Sequence, residues 1–297
     1  MNLYAWLGAV ETGLIFGFVA LSTYITFRLL NFPDITVEGS FPLGASVAGS
    51  LIVAGMNPYL ATLAAFGAGL VAGSITAFLN VRLKILHILC GILASIGLYS
   101  INMRVMGRPN LPLLGVDTVF TPLQTHFPGN GWAMSAALAL ACVATALLLN
   151  RFLASEMGLA LRATGVNERM AAAYGIATGR MKWLGLALAN GLAAVGGALF
   201  AQTQGAADVN MGIGVVVIGL AAVIGGTVLL KGASVAWGSF AVLLGAVVYR
   251  IAVAIALGVD SIGLTPSDLN LVTAALVAFA LVAPGAKLLR RSRRAAA

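Results

Sequence analysis

The chain has 297 residues, of which 60% are hydrophobic and only 9% are charged, and its mean hydropathy is +1.01. Soluble domains carry about 25% charged residues, so this composition excludes a water-soluble protein and predicts an all-α, polytopic helical bundle in lipid. The net charge of +8 does not indicate nucleic-acid binding. The basic residues cluster in a few segments without interleaved aromatic side chains, as the cytoplasmic loops of membrane proteins do.

Apolar segments follow one another along almost the whole chain. A helix needs about 20 apolar residues to span a bilayer, and by that measure we predict about nine segments, with eight or ten also compatible. They cover residues 4–27, 40–55, 58–82, 86–106, 132–153, 182–203, 212–230, 234–257 and 268–286. We therefore predict one transmembrane domain over residues 1–286, followed by a basic cytoplasmic tail over residues 287–297.

The distribution of Lys and Arg predicts the orientation of these segments. If residues 151–182 and the C-terminus lie in the cytoplasm, nearly all loop cations lie on that side, and only Arg104 and Arg108 lie outside. Cytoplasmic loops are enriched in Lys and Arg, which favours this arrangement. With nine segments it places the N-terminus outside.

Two of the segments are predicted to be interrupted helices. The second is short, follows Pro33 and contains Pro42, and the seventh is rich in glycine. In the predicted topology they run in opposite directions, which indicates an inverted repeat with a solute path between its halves. Polar residues bracket the two breaks: Asn31, Asp34, Thr36, Glu38 and Ser40 at the first, and Gln202, Gln204, Asp208 and Asn210 at the second.

These nine polar residues are the candidates to line a translocation path. Irregular backbone at membrane depth is tolerated only where it faces protein or water. For each residue taken singly, a capping or packing role is equally compatible with the sequence.

Two charged residues are predicted inside membrane segments. Glu11 and Arg250 each lie seven residues from the predicted outer end of a segment, at a depth of about 10 Å. We hypothesise an intramembrane ion pair between them, because an isolated charge in lipid is costly. The alternative is that each side chain extends separately toward the outer surface.

The longest outward-facing connection runs from Gly107 to Gly131 and contains four prolines. Proline restricts the backbone, so we predict a rigid, extended cap. The sequence is equally compatible with a docking surface for an external partner and with an ordinary connection.

A cytoplasmic loop over residues 154–180 is the most informative part of the sequence. Asn167 is a good N-cap and Gly175 a good C-terminal stop for a short helix through Tyr174. Such a helix would expose Met170, Ala171 and Tyr174 on one face, which suits the groove of a partner protein. A solvated loop without a partner is the alternative. The candidate coupling residues are Arg162, Gly165, Asn167, Glu168, Met170, Ala171, Tyr174 and Gly175.

Three motifs in this chain resemble one family of transport proteins. The pattern Leu161-Arg-Ala-x-Gly-x-Asn167, continued by Ala171 and by Gly175-Ile176, resembles the coupling loop of permeases in the branched-chain amino acid and ribose group of ATP-binding cassette importers. The run from Gly219 to Gly226 resembles a second motif of that group. The run from Asp34 to Gly44 is similar to its tryptophan/tyrosine-type branch. One departure is Thr227, where the family often has an acidic residue.

The resemblance implies the partners and location of the chain. They are a cytosolic ABC ATPase dimer, a periplasmic substrate-binding (lipo)protein and a second permease copy or paralogue, in the bacterial inner membrane. The implied cargo is a small solute, an amino acid of aromatic or other hydrophobic type. The chain would itself hold no cofactor, because ATP and Mg²⁺ would bind to the ATPase.

No catalytic or metal-binding constellation is predicted. His87 and His126 lie on opposite sides of the predicted membrane, and the sequence lacks a Walker-type glycine loop followed by Lys and Ser or Thr. We therefore expect a transporter subunit and not an enzyme. The alternative is an ion-coupled secondary transporter, which would also use broken helices but leaves the loop over residues 154–180 unexplained.

Overall fold

A computed structural model describes residues 3–126, 131–230 and 235–257, together with residue 275. Over these residues the protein is almost entirely helical, which confirms the predicted all-α class. A π-helix over Tyr24–Leu29 extends the first helix, and two short strands, β1 (Asn110–Pro112) and β2 (Ala206–Asp208), pair with each other. The α-helices are α1 (Leu3–Thr23), α2 (Val37–Val53), α3 (Pro58–Val81), α4 (His87–Met106), α5 (Thr121–His126), α6 (Gly131–Ala154), α7 (Glu156–Val166), α8 (Glu168–Ala173), α9 (Thr178–Gln204), α10 (Val215–Leu229) and α11 (Val235–Leu257).

Six helices of the described part are long and apolar enough to cross a membrane: α1 with its π-helical extension, α3, α4, α6, α9 and α11. The second and seventh predicted segments are indeed shorter, because α2 has 17 residues and α10 has 15. Eight of the nine predicted segments therefore coincide with helices. The ninth, over residues 268–286, and the basic tail lie outside the described residues.

Local sequence signals explain several helix ends. Asn57 caps α3 by accepting a hydrogen bond from the Tyr59 N–H at 2.9 Å, and Pro58 occupies the first helical position, where its missing N–H costs nothing. Gly107 ends α4 with a φ of 68°, a conformation that glycine adopts without strain.

Helices α1 and α9 precede the two short helices, and each of them packs against the short helix that follows the other. Helix α1 leads into α2, yet it packs against α10 and α11, whereas α9 leads toward α10 and packs against α2 and α3. Helices α1 and α9 are the most buried spans, because 72% and 67% of the residues in their apolar stretches are buried within the protein. This reciprocal arrangement is what an internal repeat with exchanged first helices would give, and it puts the two short helices next to the central pair.

Glycine allows the closest helix contact, between α2 and α9. A Cβ atom on Gly44 would overlap the carbonyl oxygen of Ala194, and one on Gly197 would overlap the carbonyl oxygen of Phe41. Apolar side chains gain nothing by leaving lipid for another apolar surface, so small residues that let backbones approach are a main source of helix association. The α2–α9 contact therefore depends on these two glycines.

The loop from Gly107 is tied to the segment that leads into α10. Strand β1 pairs antiparallel with β2, with Leu111 opposite Ala207, and the Leu113 N–H donates to the Gly205 carbonyl at 2.7 Å. Three apolar side chains of the loop itself are buried: Leu111, Leu113 and Phe120. Residues 110–112 of this loop are extended, as predicted, whereas residues 121–126 form α5. We call residues 107–126 the outer cap, after the side of the membrane that is predicted for it.

Candidate functional site: the helix breaks and the cytoplasmic helix

The two helix breaks meet in the structure. The Glu38 side chain accepts a hydrogen bond through Oε1 from the Gly214 N–H at 3.2 Å. A Cβ on Gly212 would overlap the Glu38 carbonyl oxygen, so the second break runs directly against the first turn of α2. Glu38 therefore lies at the N-termini of both α2 and α10, where partial positive charge stabilises a carboxylate.

A fully buried polar cluster holds the first break against α9. Asp34 accepts through Oδ1 from the Thr36 N–H at 2.9 Å and through Oδ2 from the Asn190 side-chain amide at 2.8 Å. The Ser40 hydroxyl donates to Asn190 Oδ1 at 2.7 Å. Asn190 thus joins two residues of the break, and sequence reasoning missed it. Its signal was available, since it is an amide within an otherwise apolar span.

The same break is attached to α3. The hydroxyls of Thr36 and Thr76 are 2.8 Å apart, and both side chains are completely buried. Asp34, Thr36 and Ser40 therefore expose no surface, and the contacts that the structure gives them are capping and packing contacts. A role of these three in lining the path stays a prediction.

At the second break the polar residues fasten the outer cap. Gln202 is buried, accepts through Oε1 from the Val119 N–H at 3.0 Å and donates through Nε2 to the Thr62 hydroxyl at 3.0 Å. Asp208 accepts from the Asn210 N–H at 2.7 Å and from the Asn110 side-chain amide at 3.1 Å. The side chains at this break that remain exposed are Gln204 and Asn210, and Asn31 is exposed at the first break.

A polar cavity of about 290 Å³ lies between α1, α6, α9 and the outer cap. It brings Glu11, which the sequence analysis assigned to an ion pair, together with Gln202 and Gln204, which it assigned to the translocation path. Phe120 and Met134 supply apolar surface to the same cavity. The cavity therefore combines one carboxylate with amides and an apolar wall.

The predicted ion pair between Glu11 and Arg250 is wrong. Glu11 accepts a hydrogen bond from the Ser135 hydroxyl of α6 at 2.9 Å, whereas the Arg250 guanidinium lies 4.6 Å from the ring centre of Phe16. Each residue turns an α-helix by about 100°, so Glu11 faces α6 while Gly13 and Phe16 face α11. The two charges lie against different faces of α1.

Three aromatic rings surround the meeting point of α1, α2 and α9. The ring centroids of Phe16, Phe41 and Phe200 are all 5.7 Å from one another. Such spacing is favourable for aromatic pairs, and Phe16 additionally receives the Arg250 cation on its face. The sequence analysis had not singled out this cluster.

The short helix predicted after Asn167 is confirmed as α8. Asn167 caps α8 by accepting from the Met170 N–H at 3.1 Å, and Gly175, with a φ of 82°, ends the turn after Tyr174. Met170 and Tyr174 are 57% and 78% exposed, but Ala171 is only 4% exposed. The predicted exposed face is therefore corrected to Met170 and Tyr174, because Ala171 is rotated by about 100° from Met170, toward the protein.

The loop over residues 154–180 is attached to both central helices. Glu168 of α8 forms an ion pair with Lys182 of α9 at 2.7 Å, the one ion pair in the part of the chain that the structure describes. A Cβ on Gly165 would overlap the Leu29 carbonyl oxygen, so α7 packs directly on the π-helix below α1. Arg162, also on α7, is partly buried. A displacement of the loop would therefore reach α1 and α9 together.

These features define a multi-pass membrane protein with two interrupted helices and a short helix, α8, that is connected to its centre. Residues 7–283 match the family described as the permease component of the branched-chain amino acid transport system. The chain belongs to this family. The family named from the sequence motifs is thereby confirmed, and the chain is the permease component of an ABC transport system.

Three relatives illustrate the range of the family. A protein named tyrosine transport system permease protein, from Clostridioides difficile, is 38% identical over 280 residues, which is 94% of this chain and 90% of the relative. An uncharacterized protein of Rickettsia prowazekii is 34% identical over 89% of this chain and 92% of its own length. The nucleoside ABC transporter permease protein NupC of Lactococcus lactis is 31% identical over 57% of this chain and 58% of its own length.

Proposed function

We propose that this chain is the membrane-spanning subunit of an importer for an aromatic or other hydrophobic amino acid. A periplasmic binding (lipo)protein delivers the solute, and a cytosolic ATPase dimer binds ATP with Mg²⁺ and supplies the energy. Two permease copies, or this chain with a paralogue, enclose the path in the bacterial inner membrane. The N-terminus lies outside and the C-terminus in the cytoplasm.

The observation that carries this proposal is the attachment of α8. Its exposed Met170 and Tyr174 are available to a partner, while Glu168 connects the same helix to α9. Helices α9 and α1 are the central spans next to both breaks. A push on α8 from a closing ATPase dimer would thus be transmitted to the helices that flank the path, which is the requirement for alternating access.

The proposed cargo is supported by a relative and by the polar cavity. The Clostridioides difficile relative is named for tyrosine transport. In the cavity, the Glu11 carboxylate suits an ammonium group, the amides of Gln124 and Gln204 suit a carboxylate, and Phe120 suits an apolar side chain. The ion-coupled secondary transporter considered from the sequence is a different class from the permease family to which the chain belongs, so we do not propose it.

Transport in proteoliposomes tests the energy source and the cargo. The full chain is reconstituted with its ATPase and binding protein, and uptake of labelled tyrosine, phenylalanine and leucine is measured with internal ATP or a non-hydrolysable analogue. We expect uptake only with ATP, and no effect of proton or sodium ionophores. Uptake that survives without the ATPase and collapses with an ionophore would refute ATP-driven import.

The role of α8 is tested by Met170→Asp and Tyr174→Asp. Each change puts a charge on the exposed face without touching the Asn167 cap, and we expect it to weaken ATPase binding by about 2 kcal/mol, or ~30-fold, as for a buried interface anchor. Pull-down of the ATPase by the purified permease measures this. Leu114→Asp, at an 84% exposed position of the outer cap, is the matched control and should leave ATPase binding unchanged. Full ATPase binding by both α8 variants would refute the coupling role.

A further inference from the structure

A second cavity, of about 750 Å³, lies where α3 ends and α9 begins. Arg82 and Arg180 line it, and both side chains are exposed. The remaining wall is largely apolar and includes Val81, Trp183 and Leu184. The distribution of basic residues places this end of the helices on the cytoplasmic side. The cavity therefore has two cations at the membrane surface and an apolar wall that leads into the membrane.

The positive charge of this cavity is not compensated within the described residues. Helix α9 has no acidic residue in its first turn and instead carries Arg180 there, followed by Lys182. Cations at a helix N-terminus are unfavourable because they meet the positive end of the helix dipole. Lys182 is compensated by Glu168. In the described part of the chain, the guanidinium groups of Arg82 and Arg180 have no ion-pair or hydrogen-bond partner.

The apolar wall continues into the surface of α3 that faces away from the protein. The ring of Trp183 packs edge-on against Phe78, with 6.4 Å between the ring centroids. Phe78 is 45% exposed, and Ile75 and Val71, one and two turns deeper in the membrane, are exposed as well. An alkyl chain that lay against Trp183 and Phe78 would therefore continue along a surface that is itself in contact with lipid. Tryptophan is common at the level of lipid headgroups.

We propose that this cavity is a binding site for an anionic glycerophospholipid. The phosphate lies between Arg82 and Arg180, close to the N-terminal turn of α9, where the positive end of the helix dipole and the guanidinium groups both favour an anion. One acyl chain follows Trp183, Phe78 and the exposed face of α3. Basic pockets between transmembrane helices on the cytoplasmic side bind anionic headgroups in this manner.

The site would also affect the cytoplasmic loop. Ile176 and Ala177, which connect α8 to α9, line the same cavity. A bound lipid would neutralise the charge at the start of α9 and support the segment through which α8 is attached to that helix. This proposal rests on the membrane location of the chain and not on the identity of its cargo, so the two can fail independently.

Native mass spectrometry of the purified full chain tests the site. The protein is titrated with phosphatidylglycerol or with phosphatidylcholine of the same acyl chains, and the bound fraction is compared for wild type and Arg82→Ala/Arg180→Ala. Each Arg near an anionic surface contributes roughly a fivefold preference, so we expect the double variant to lose a preference of about 30-fold. The control variant is Arg104→Ala/Arg108→Ala. It removes two exposed arginines at the C-terminal end of α4, which is predicted to lie on the outer side, and it should keep the preference for phosphatidylglycerol.

Other outcomes identify other occupants. If inorganic phosphate displaces phosphatidylglycerol at equal concentration, the site recognises the phosphate group alone and the lipid assignment is overturned. If the double variant keeps the wild-type preference while its melting temperature is unchanged, the cavity does not bind anionic lipid. If wild type binds both lipids in isolation but neither in the complex with the ATPase, the cavity is covered by the partner, and the proposal is equally refuted.

Discussion

Gly197→Ala is expected to destabilise the protein by about 3 kcal/mol or more, and Gly44→Ala by a similar amount. In each case the added methyl group would overlap a backbone carbonyl oxygen of the facing helix, that of Phe41 or of Ala194. A flexible side chain could rotate away, but a backbone carbonyl moves only with its helix. The α2–α9 pair would therefore have to separate along its whole contact.

The measurement is the thermal stability of the detergent-solubilised protein, followed as loss of the monodisperse fraction with temperature. Gly67→Ala in α3 is the matched control, because a Cβ at that position meets no atom within 4 Å. By helix propensity alone, alanine there should be neutral or should stabilise by up to about 1 kcal/mol. A Gly197→Ala variant as stable as Gly67→Ala would show that the two backbones are not in contact.

Asn190→Leu is the second large effect, with an expected loss of about 3 kcal/mol of stability. Leucine has the same number of side-chain heavy atoms, branched at the same position, but it cannot form hydrogen bonds to the first break. The substitution leaves one oxygen of Asp34 and the hydroxyl of Ser40 without a partner in a fully buried cluster. The cost of unpaired polar groups, more than lost packing, is the reason for the loss.

Exchange of the two side chains distinguishes hydrogen bonding from packing. In Asp34→Asn/Asn190→Asp the amide and the carboxylate change places, so an amide still donates to a carboxylate, and Ser40 still has an acceptor. The bond from the Asn190 amide to the Leu186 carbonyl, 2.9 Å long, is lost. We expect the exchange variant to recover most of the stability lost in Asn190→Leu, as measured by the same thermal assay. Equal stability of Asn190→Leu and wild type would mean that the cluster does not hold the break.

Much of the local structure followed from the sequence because its causes are local. The positions of the short helices follow from Pro33 and from the glycine-rich run before α10, because proline and glycine disfavour the continuation of a helix at their own positions. The cap and stop of α8 follow from Asn167 and Gly175, whose preferences act within three or four residues. The membrane class follows from composition alone.

The tertiary structure decided which face of each helix meets which neighbour. Asp34 is bonded to a residue 156 positions away, and no local rule connects that aspartate with Asn190. The predicted pair of Glu11 and Arg250 rested on equal depth in the membrane, and depth does not determine the rotation of a side chain about the helix axis. In the structure α6 and α11 pack on different sides of α1, and this separates the two charges. Ala171 is buried for the same reason, since the sequence does not determine the rotation of α8 against the protein.

The chain's own sequence thus determined that the protein lies in lipid, where its helices and their interruptions are, and which family it belongs to. Each of these depends on residue type and short-range order. Only the tertiary structure brought Glu38 to Gly214, joined Glu168 to Lys182 and opened a cavity between Arg82 and Arg180. Each of these juxtapositions depends on the packing of helices that are distant in sequence. In a membrane that packing depends on close backbone contact, such as the one that Gly44 and Gly197 allow between α2 and α9.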